Sequence, residues 1–360
     1  RRSGIEQTIG SVASAIAARS GMVMTTQKQV SVEDNLWKTT TTPIYHETQI
    51  DGYDIYFDID MNAAYLGVAL GGKRSTTSTT LAISEWPCHI RIDTNKLSLY
   101  TGLYNGSSYA WSLHSSISLA QSPQVGDKIR VRISRTEDYK YSVLNVYRNN
   151  SLLWTTVMPF IVENGHLSVF GGSKVRNLYV TGLNQYISTH IWQFARPAVD
   201  EIKSLVSPLF WSLYERSDGT ILMAPTDFLN GSSGSVDSTA LIVDHVPNDV
   251  DWHSIIKITG AEVYATYVDP VLIRRGARPI EYDSPYLWTE TACLNQAFRM
   301  GEYERKSLNK KGSSMFFDPR IEVGTVVTIG GSEFVVTDYS ASVSSPRRSS
   351  AMMKINVREK

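Results

Sequence analysis

The sequence predicts a mixed α+β chain, mostly β, in which an antiparallel β-sandwich interrupts a mixed frame. Three observations predict it. Apolar residues at helical period occur near the N-terminus and again after Gln185, but not from about Ile44 to Thr181. That central stretch reads as about a dozen short alternating runs separated by turn residues, enough for two packed sheets. It is also bounded by linker-like sequence, Lys38–Pro43 being Lys-Thr-Thr-Thr-Thr-Pro. The division implied is 1–42 as the first part of the frame, 43–185 as the insert, and 186–360 as the rest of the frame, a helix-hairpin segment followed by further strands. Insertions succeed at exposed loops, and 360 residues suffice for two or three domains.

The elements follow in order. Ser3 and Glu6 have capping-box spacing, and Ile5, Ile9, Val12, Ala13 and Ile16 share one helical face, so a helix is expected over 3–20 with Gly21 as its stop. Met22–Val32 reads as extended. In the insert Tyr53, Ile55, Phe57 and Ile59 alternate with Asp54, Tyr56, Asp58 and Asp60. Similar runs are Tyr65–Leu70, Leu81–Ser84, His89–Ile92, Leu97–Tyr100, Ala110–Leu113, Lys128–Arg135, Tyr141–Tyr147, Leu152–Val157, Leu167–Phe170 and Val175–Val180. Gly71–Thr80 is a polar loop. Pro197 suits a first helical turn, Val199, Ile202, Leu205 and Val206 give that helix a face, and Pro208 ends it. Phe210–Glu215 and Thr220–Met223 flank a Ser-Asp-Gly turn and read as a hairpin. Asn230–Ser235 reads as a loop, and Ser254–Thr259 and Ala261–Thr266 as strands. Thr289 caps a helix running to about Arg305, with Ala292, Ala297 and Phe298 inward. Asp318–Val336 is a turn, a strand, a Gly330-Gly331 reversal and a second strand; Met352–Val357 is a last strand, after an exposed Ser342–Ser350.

Composition narrows the function classes. Apolar residues make up 42% and Lys+Arg and Asp+Glu are both 35, so the chain is core-forming and without the basic excess of a nucleic-acid binder. Cys88 and Cys293 lack metal, redox or disulfide spacing and read as free buried thiols. No apolar run is long enough to span a membrane. The start at Arg1-Arg2-Ser3, without Met, reads as a fragment or processed product.

Several motifs, taken in order, carry a resemblance. Ser3–Gly21 is an early helix. Ile191–Met223 is a helix and hairpin ending in Tyr-x-x-x-Asp-Gly-x-Ile at Tyr214–Ile221. Trp252–Thr259 is a strand entered by Asp-Trp-His-Ser-Ile, and Asp283-Ser284-Pro285-Tyr286-Leu287 leads into the late helix. Asp318–Ile329 reads Asp-Pro-Arg-Ile-Glu-Val-Gly-Thr-Val-Val-Thr-Ile. This order resembles the phage baseplate hub proteins, which include contractile-tail hubs and the N-terminal region of siphophage tail-associated proteins. His253, Lys257 and Thr325 depart from the residues commoner there. The resemblance implies hub-type β-barrel domains, here split by the insert, and three copies in a ring that closes or extends the tail tube at the virion's tail tip. It implies as partners the chain itself as a homotrimer, other tail proteins (distal tail protein, tape measure, fibre or receptor-binding protein), and DNA only as passing cargo. It implies no catalytic residue, cofactor or metal.

In the insert, Gly126–Arg135, Val143–Tyr147, Arg148-Asn149-Asn150-Ser151-Leu152-Leu153 and the closing Arg176-Asn177-Leu178-Tyr179-Val180 resemble the concanavalin/laminin-G-like jelly-roll sandwiches. Many such domains bind glycans, which makes a host-surface glycan the expected partner, although fold does not fix function. Aromatic residues are dense between Trp86 and Trp111. Sugar C–H faces pack on aromatic rings while Asn, Asp and His supply directional hydrogen bonds. The expected carbohydrate contacts are Trp86, Tyr104, Asn105, Tyr109 and Trp111, with Tyr104–Tyr109 as a lip; the alternative is that half of the rings of this stretch, which also holds Tyr100, are core.

Two other functions compete. Asp58 and Asp60 stand on one strand face about 6.5–7 Å apart, which makes a glycoside hydrolase acting through them an alternative, but the Glu-x-Asp-x-Glu array of sandwich glycosidases is missing. A solvent-facing strand is the plainer reading of Asp54, Asp58 and Asp60, with calcium binding a further one. A non-enzymatic lectin or adhesin is the other alternative. His89, His114 and His166 lack metal spacing and read as structural. His46-Glu47, Gly171-Gly172 with Lys174, and Gly231–Ser235 each fail the motif they suggest. Arg274, Arg275 and Arg278, and Arg347-Arg348, read as solvated clusters, with a channel wall or a subunit ion pair as the alternative.

Overall fold

The computed structural model describes residues 7–32, 37–38, 50–61, 65–72, 87–104, 109–136, 140–172, 174–180, 183–184, 186–187, 196–229, 233–235, 241–243, 252–308, 311–316, 318, 320–329, 331–343 and 351–360. Strands dominate, and two sheets between Val30 and Val180 face each other across one core. The first has six strands in the order Tyr109–Ser118, Lys96–Tyr104, Cys88–Asp93, Tyr65–Gly72, Asn164–Phe170 and Ile50–Asp51. The second orders Ser151–Val157, Ser142–Arg148, Lys128–Arg135, Asp54–Met61, Lys174–Val180 and Val30–Val32, with Trp37–Lys38 also on Lys174–Val180. All of these pairings are antiparallel. Val30–Val32 and Trp37–Lys38 precede residue 43, so the sheet begins before the expected start of the insert. Alternation fixes which residues turn inward. Ile55, Phe57, Val68, Ile90, Leu99, Val131, Val146 and Val175 are each at most 1% exposed in the shared core.

The frame closes around the base of this sandwich. Helix α1, Ile9–Arg19, begins later than expected. Its cap is Thr8, whose hydroxyl accepts from Ser11 N while Ser11 Oγ accepts from Thr8 N. Ser3 and Glu6 lie outside the described residues. The physical reason for the late start is non-local: Gln7–Thr8 is extended and pairs with Tyr186–Ile187, beyond the sandwich. Met24–Thr26 then pairs in parallel with Ile221–Met223. Helix α2, Ala198–Val206, buries Ile202, Leu205 and Val206, and helix α3, Glu290–Ser307, is capped by Thr289 accepting from Ala292 N at 3.2 Å. The three helices share one core with Trp211, Met223, Ile256 and Ile258. At the seam Gly52 takes φ +79°, and a Cβ there would strike the backbone of Asn184, so the chain enters and leaves the sandwich side by side.

The C-terminal sheet has six strands, Ser233–Ser235, Val326–Ile329, Ser332–Val343, Ala351–Glu359, Lys311–Phe316 and Leu241–Val243. The Asp318–Val336 reading is present as Val326–Ile329 against Ser332–Val343, with Gly331 at φ +84° in the turn. A flat sheet of this size would hold its edges about 24 Å apart. Six chain steps from Ser235 to Leu241 reach at most about 21 Å, so the sheet curls. Ser233–Ser235, expected as loop, is a short parallel partner of Val326–Thr328. The second strand after Ile255–Thr259 is Tyr264–Val268 rather than 261–266, because Gly260 N–H bonds Val263 C=O at 2.7 Å and makes the turn there. Pro279–Asp283, not foreseen, pairs in parallel with Ile255–Thr259.

Candidate functional site

The outer face of the six-stranded sandwich sheet carries a cluster of rings. Strand alternation builds it. Cys88, Ile90 and Ile92 point into the core, so His89, Arg91 and Asp93 point away from it. On the next strand Leu97 and Leu99 are core and Tyr100 lies outside. Val169 faces in and Phe170 out. Phe170 lies opposite Gly67, where a Cβ would collide with the ring, so the glycine makes room for it.

His89 is the centre. Its ring stacks on Tyr100 at 4.8 Å and 16°, and meets Trp111 edge-on at 4.6 Å and Phe170 at 5.6 Å. Tyr65 meets Phe170 edge-on at 6.3 Å. Arg91 lies over the Tyr65 ring at 4.3 Å and its Nε bonds Asp93 at 2.7 Å. Burial, aided by the Arg91 charge, pushes the His89 pKa down from 6.5 to about 4. The imidazole is therefore neutral at pH 7 and offers one donor and one acceptor.

Two nitrogens of the cluster are buried without a partner among the described residues: His89 Nδ1 and Trp111 Nε1. An unmet buried polar group costs about 1–3 kcal/mol. Two within one ring cluster call for a partner beyond the described residues, an ordered water or a bound group among them. Rings, unmet nitrogens and the Arg91–Asp93 pair together suit a polyol with apolar C–H faces.

Of the expected contacts, Trp111 is half-buried in this cluster. Trp86 and Asn105, and the side chains of Tyr104 and Tyr109, lie outside the described residues; the backbone register sets Tyr109 opposite Tyr104 and Trp111 opposite Gly102. His89, read from sequence as structural, sits in the middle of the cluster, and Tyr65, Arg91 and Phe170 were missed. The signal was present: odd-numbered residues from 89 to 93 alternate with the apolar Cys88, Ile90 and Ile92.

The opposite outer face, on the seven-stranded sheet, is satisfied internally. Arg130 grips Asp54 through two bonds of 2.7 Å, Asn177 Nδ2 donates to Asp58 at 2.7 Å, and Arg176 pairs Asp60 at 2.6 Å. Tyr56 and Tyr179 stack at 4.8 Å, with Arg130 over Tyr56 and Lys28 over Tyr179, so the faces of both rings are covered. Among the described residues no group of three or more His, Cys, Asp or Glu is placed to hold a metal ion. Cys88 and Cys293 are buried free thiols, both pushed up to about 12 chiefly by burial. No described helix is long and apolar enough to cross a membrane.

No known protein family matches the sequence, and no curated protein matches it. Solved structures overlap it only shallowly. A tail protein from Neisseria meningitidis MC58 covers 83% of this chain and 97% of its own at 10% identity and TM-score 0.34. The 43 kDa tail protein of prophage MuSo2 from Shewanella oneidensis covers 65% and 90% at 11% identity and TM-score 0.34. A carbohydrate-binding module, CBM66 from Bacillus subtilis, covers 43% and 97% at 10% identity and TM-score 0.28.

Proposed function

We propose that the chain is a structural component of a phage tail tip that closes or extends the tail tube, and that its inserted sandwich contacts host-surface carbohydrate. The hub-like order of motifs supports the first half, together with a frame whose two parts pair across the sandwich through Gln7–Thr8 and Tyr186–Ile187. One observation carries the second half: the unmet His89 Nδ1 and Trp111 Nε1 inside a ring cluster on an outer sheet face.

The chain works as a three-copy ring in this reading, and the sandwich is displayed on it. Binding is non-enzymatic: Trp111 and Tyr100 pack against a sugar ring, while His89 and the Trp111 indole N–H hydrogen-bond its hydroxyls. The test is a glycan array probed with the full chain and with Trp111→Ala. Retention of the glycans of the host surface, lost at least tenfold in the variant, supports the reading. No retained glycan, or equal retention by the variant, refutes the binding half and leaves the tail half to its own test.

A further inference from the structure

The frame holds a second receptive place, independent of the glycan face. A cavity of about 740 Å³ opens between α2, α3 and the turn Ser207–Leu209, within the range of ligand sites. Phe210, Trp211 and Met300 give it an apolar lining, and Arg196 and Lys203 stand at it with Asp200 and Asp283, so its charges balance.

Gln296 of α3 lines the cavity and is 2% exposed. Its Nε2 donates to Pro208 C=O at 2.6 Å, and the same carbonyl accepts from Ser284 Oγ at 2.5 Å. That bond fixes the amide, because the reversed amide would set oxygen against oxygen. Gln296 Oε1 is thereby left buried, without a partner among the described residues. It is an unmet acceptor on a residue of the cavity wall.

Two edge strands contribute to the same walls. Trp211–Glu215 and Pro279–Asp283 are each outermost in a three-stranded sheet, and Trp211, Ser212, Tyr282 and Asp283 line the cavity. In the hairpin, Thr226 N–H bonds Phe210 C=O and Arg216 N–H bonds Thr220 C=O. Even-numbered residues therefore bond towards Ile221–Pro225, and the main-chain groups of Trp211 and Leu213 point to the open edge.

We propose that this cavity receives an extended peptide strand of a partner protein. The strand pairs by main chain with residues 211–213, short of Glu215, whose C=O accepts from Tyr339 O–H at 3.5 Å, and donates one N–H to Gln296 Oε1, while alternate apolar side chains rest on Phe210 and Met300. The balanced charges favour a segment without net charge over an acidic or basic tail.

The test selects binders of the full chain from a displayed library of random eight-residue peptides and measures the selected peptides, synthesised, by fluorescence anisotropy and amide hydrogen exchange. Bound peptide is expected to slow exchange at Trp211 and Leu213. Ser204→Trp, on the exposed side of α2 at the cavity, and Gln296→Leu are each expected to weaken binding at least tenfold. Ser204→Trp keeps the experiment decisive should Gln296→Leu fail to fold. The proposal is overturned if no peptide is selected above the blank, if protection falls on another surface, if binding to Ser204→Trp is unchanged, or if the chain self-associates by light scattering and Ser204→Trp abolishes that association, which would make a second copy the occupant.

Discussion

Replacing Arg299 by Met should loosen the sandwich from its frame, and the structure sets the size of the effect. Arg299 is 6% exposed on α3. Its Nε and Nη2 bond Asp227 at 2.7 and 2.5 Å, and its Nη1 bonds Asp51 at 3.2 Å. Asp51 belongs to the seam of the sandwich and also accepts from Trp211 Nε1 at 2.7 Å. The two carboxylates lose differently. Asp227 keeps 32% of its side-chain surface, so water softens its loss; Asp51 keeps 1%. Burial already raises the Asp51 pKa despite Arg299 and Trp211, while Arg299 overcomes burial at Asp227 and holds it low. Removing one partner of a buried pair costs about 3–5 kcal/mol. At about 2–3 kcal/mol per molar urea, the frame midpoint falls by about 1–2.5 M. Urea titration followed by tryptophan fluorescence reads this, with Trp211 inside the network. Asp51→Asn in the Arg299→Met background should return at least about 1 kcal/mol, because it removes the stranded charge. A loss under about 1 kcal/mol, or strictly additive variants, would mean that Arg299 does not hold Asp51 as a buried partner.

Three further outcomes are expected. His89 is less easily protonated folded than unfolded, so the unfolded chain binds the proton first as pH falls; its contribution is intact above about pH 6.5 and declines towards pH 4 by at most about 3 kcal/mol, read as thermal midpoint against pH and flattened in His89→Asn. Gly67→Ala should destabilise the sandwich by about 1–3 kcal/mol, since the added Cβ displaces Phe170, and an unchanged urea midpoint would contradict that packing. The purified chain or its tail assembly should show the mass of three copies by light scattering; a strictly monomeric particle that joins no tail argues against the hub role.

Legibility from sequence followed locality. Lys128–Arg135 is bounded by its own alternation, and Thr289 caps α3 with its own hydroxyl, so both could be read directly. Ser3 was the cap read from its spacing to Glu6, whereas α1 is capped by Thr8, whose extended backbone pairs with Tyr186–Ile187, far along the chain. Pro279–Asp283 carries little strand character of its own and is a strand because Ile255–Thr259 accepts it in parallel. The same holds at the site. Trp111 was visible as one of many rings, whereas the role of His89 depends on Tyr100, Trp111 and Phe170 arriving from three other strands. Asp58 and Asp60 look like a carboxylate pair in sequence, but Asn177 and Arg176, brought by the neighbouring strand, occupy them.

The most direct measurement follows the Trp111 indole N–H by NMR in the full chain during titration with a host-surface glycan retained on the array. This resonance is expected to shift in a saturable way and its exchange with water to slow, as a buried donor gains an acceptor, while Trp111→Ala lowers affinity at least tenfold. A glycan that binds without moving the Trp111 resonance, or binds Trp111→Ala equally well, would contradict that expectation.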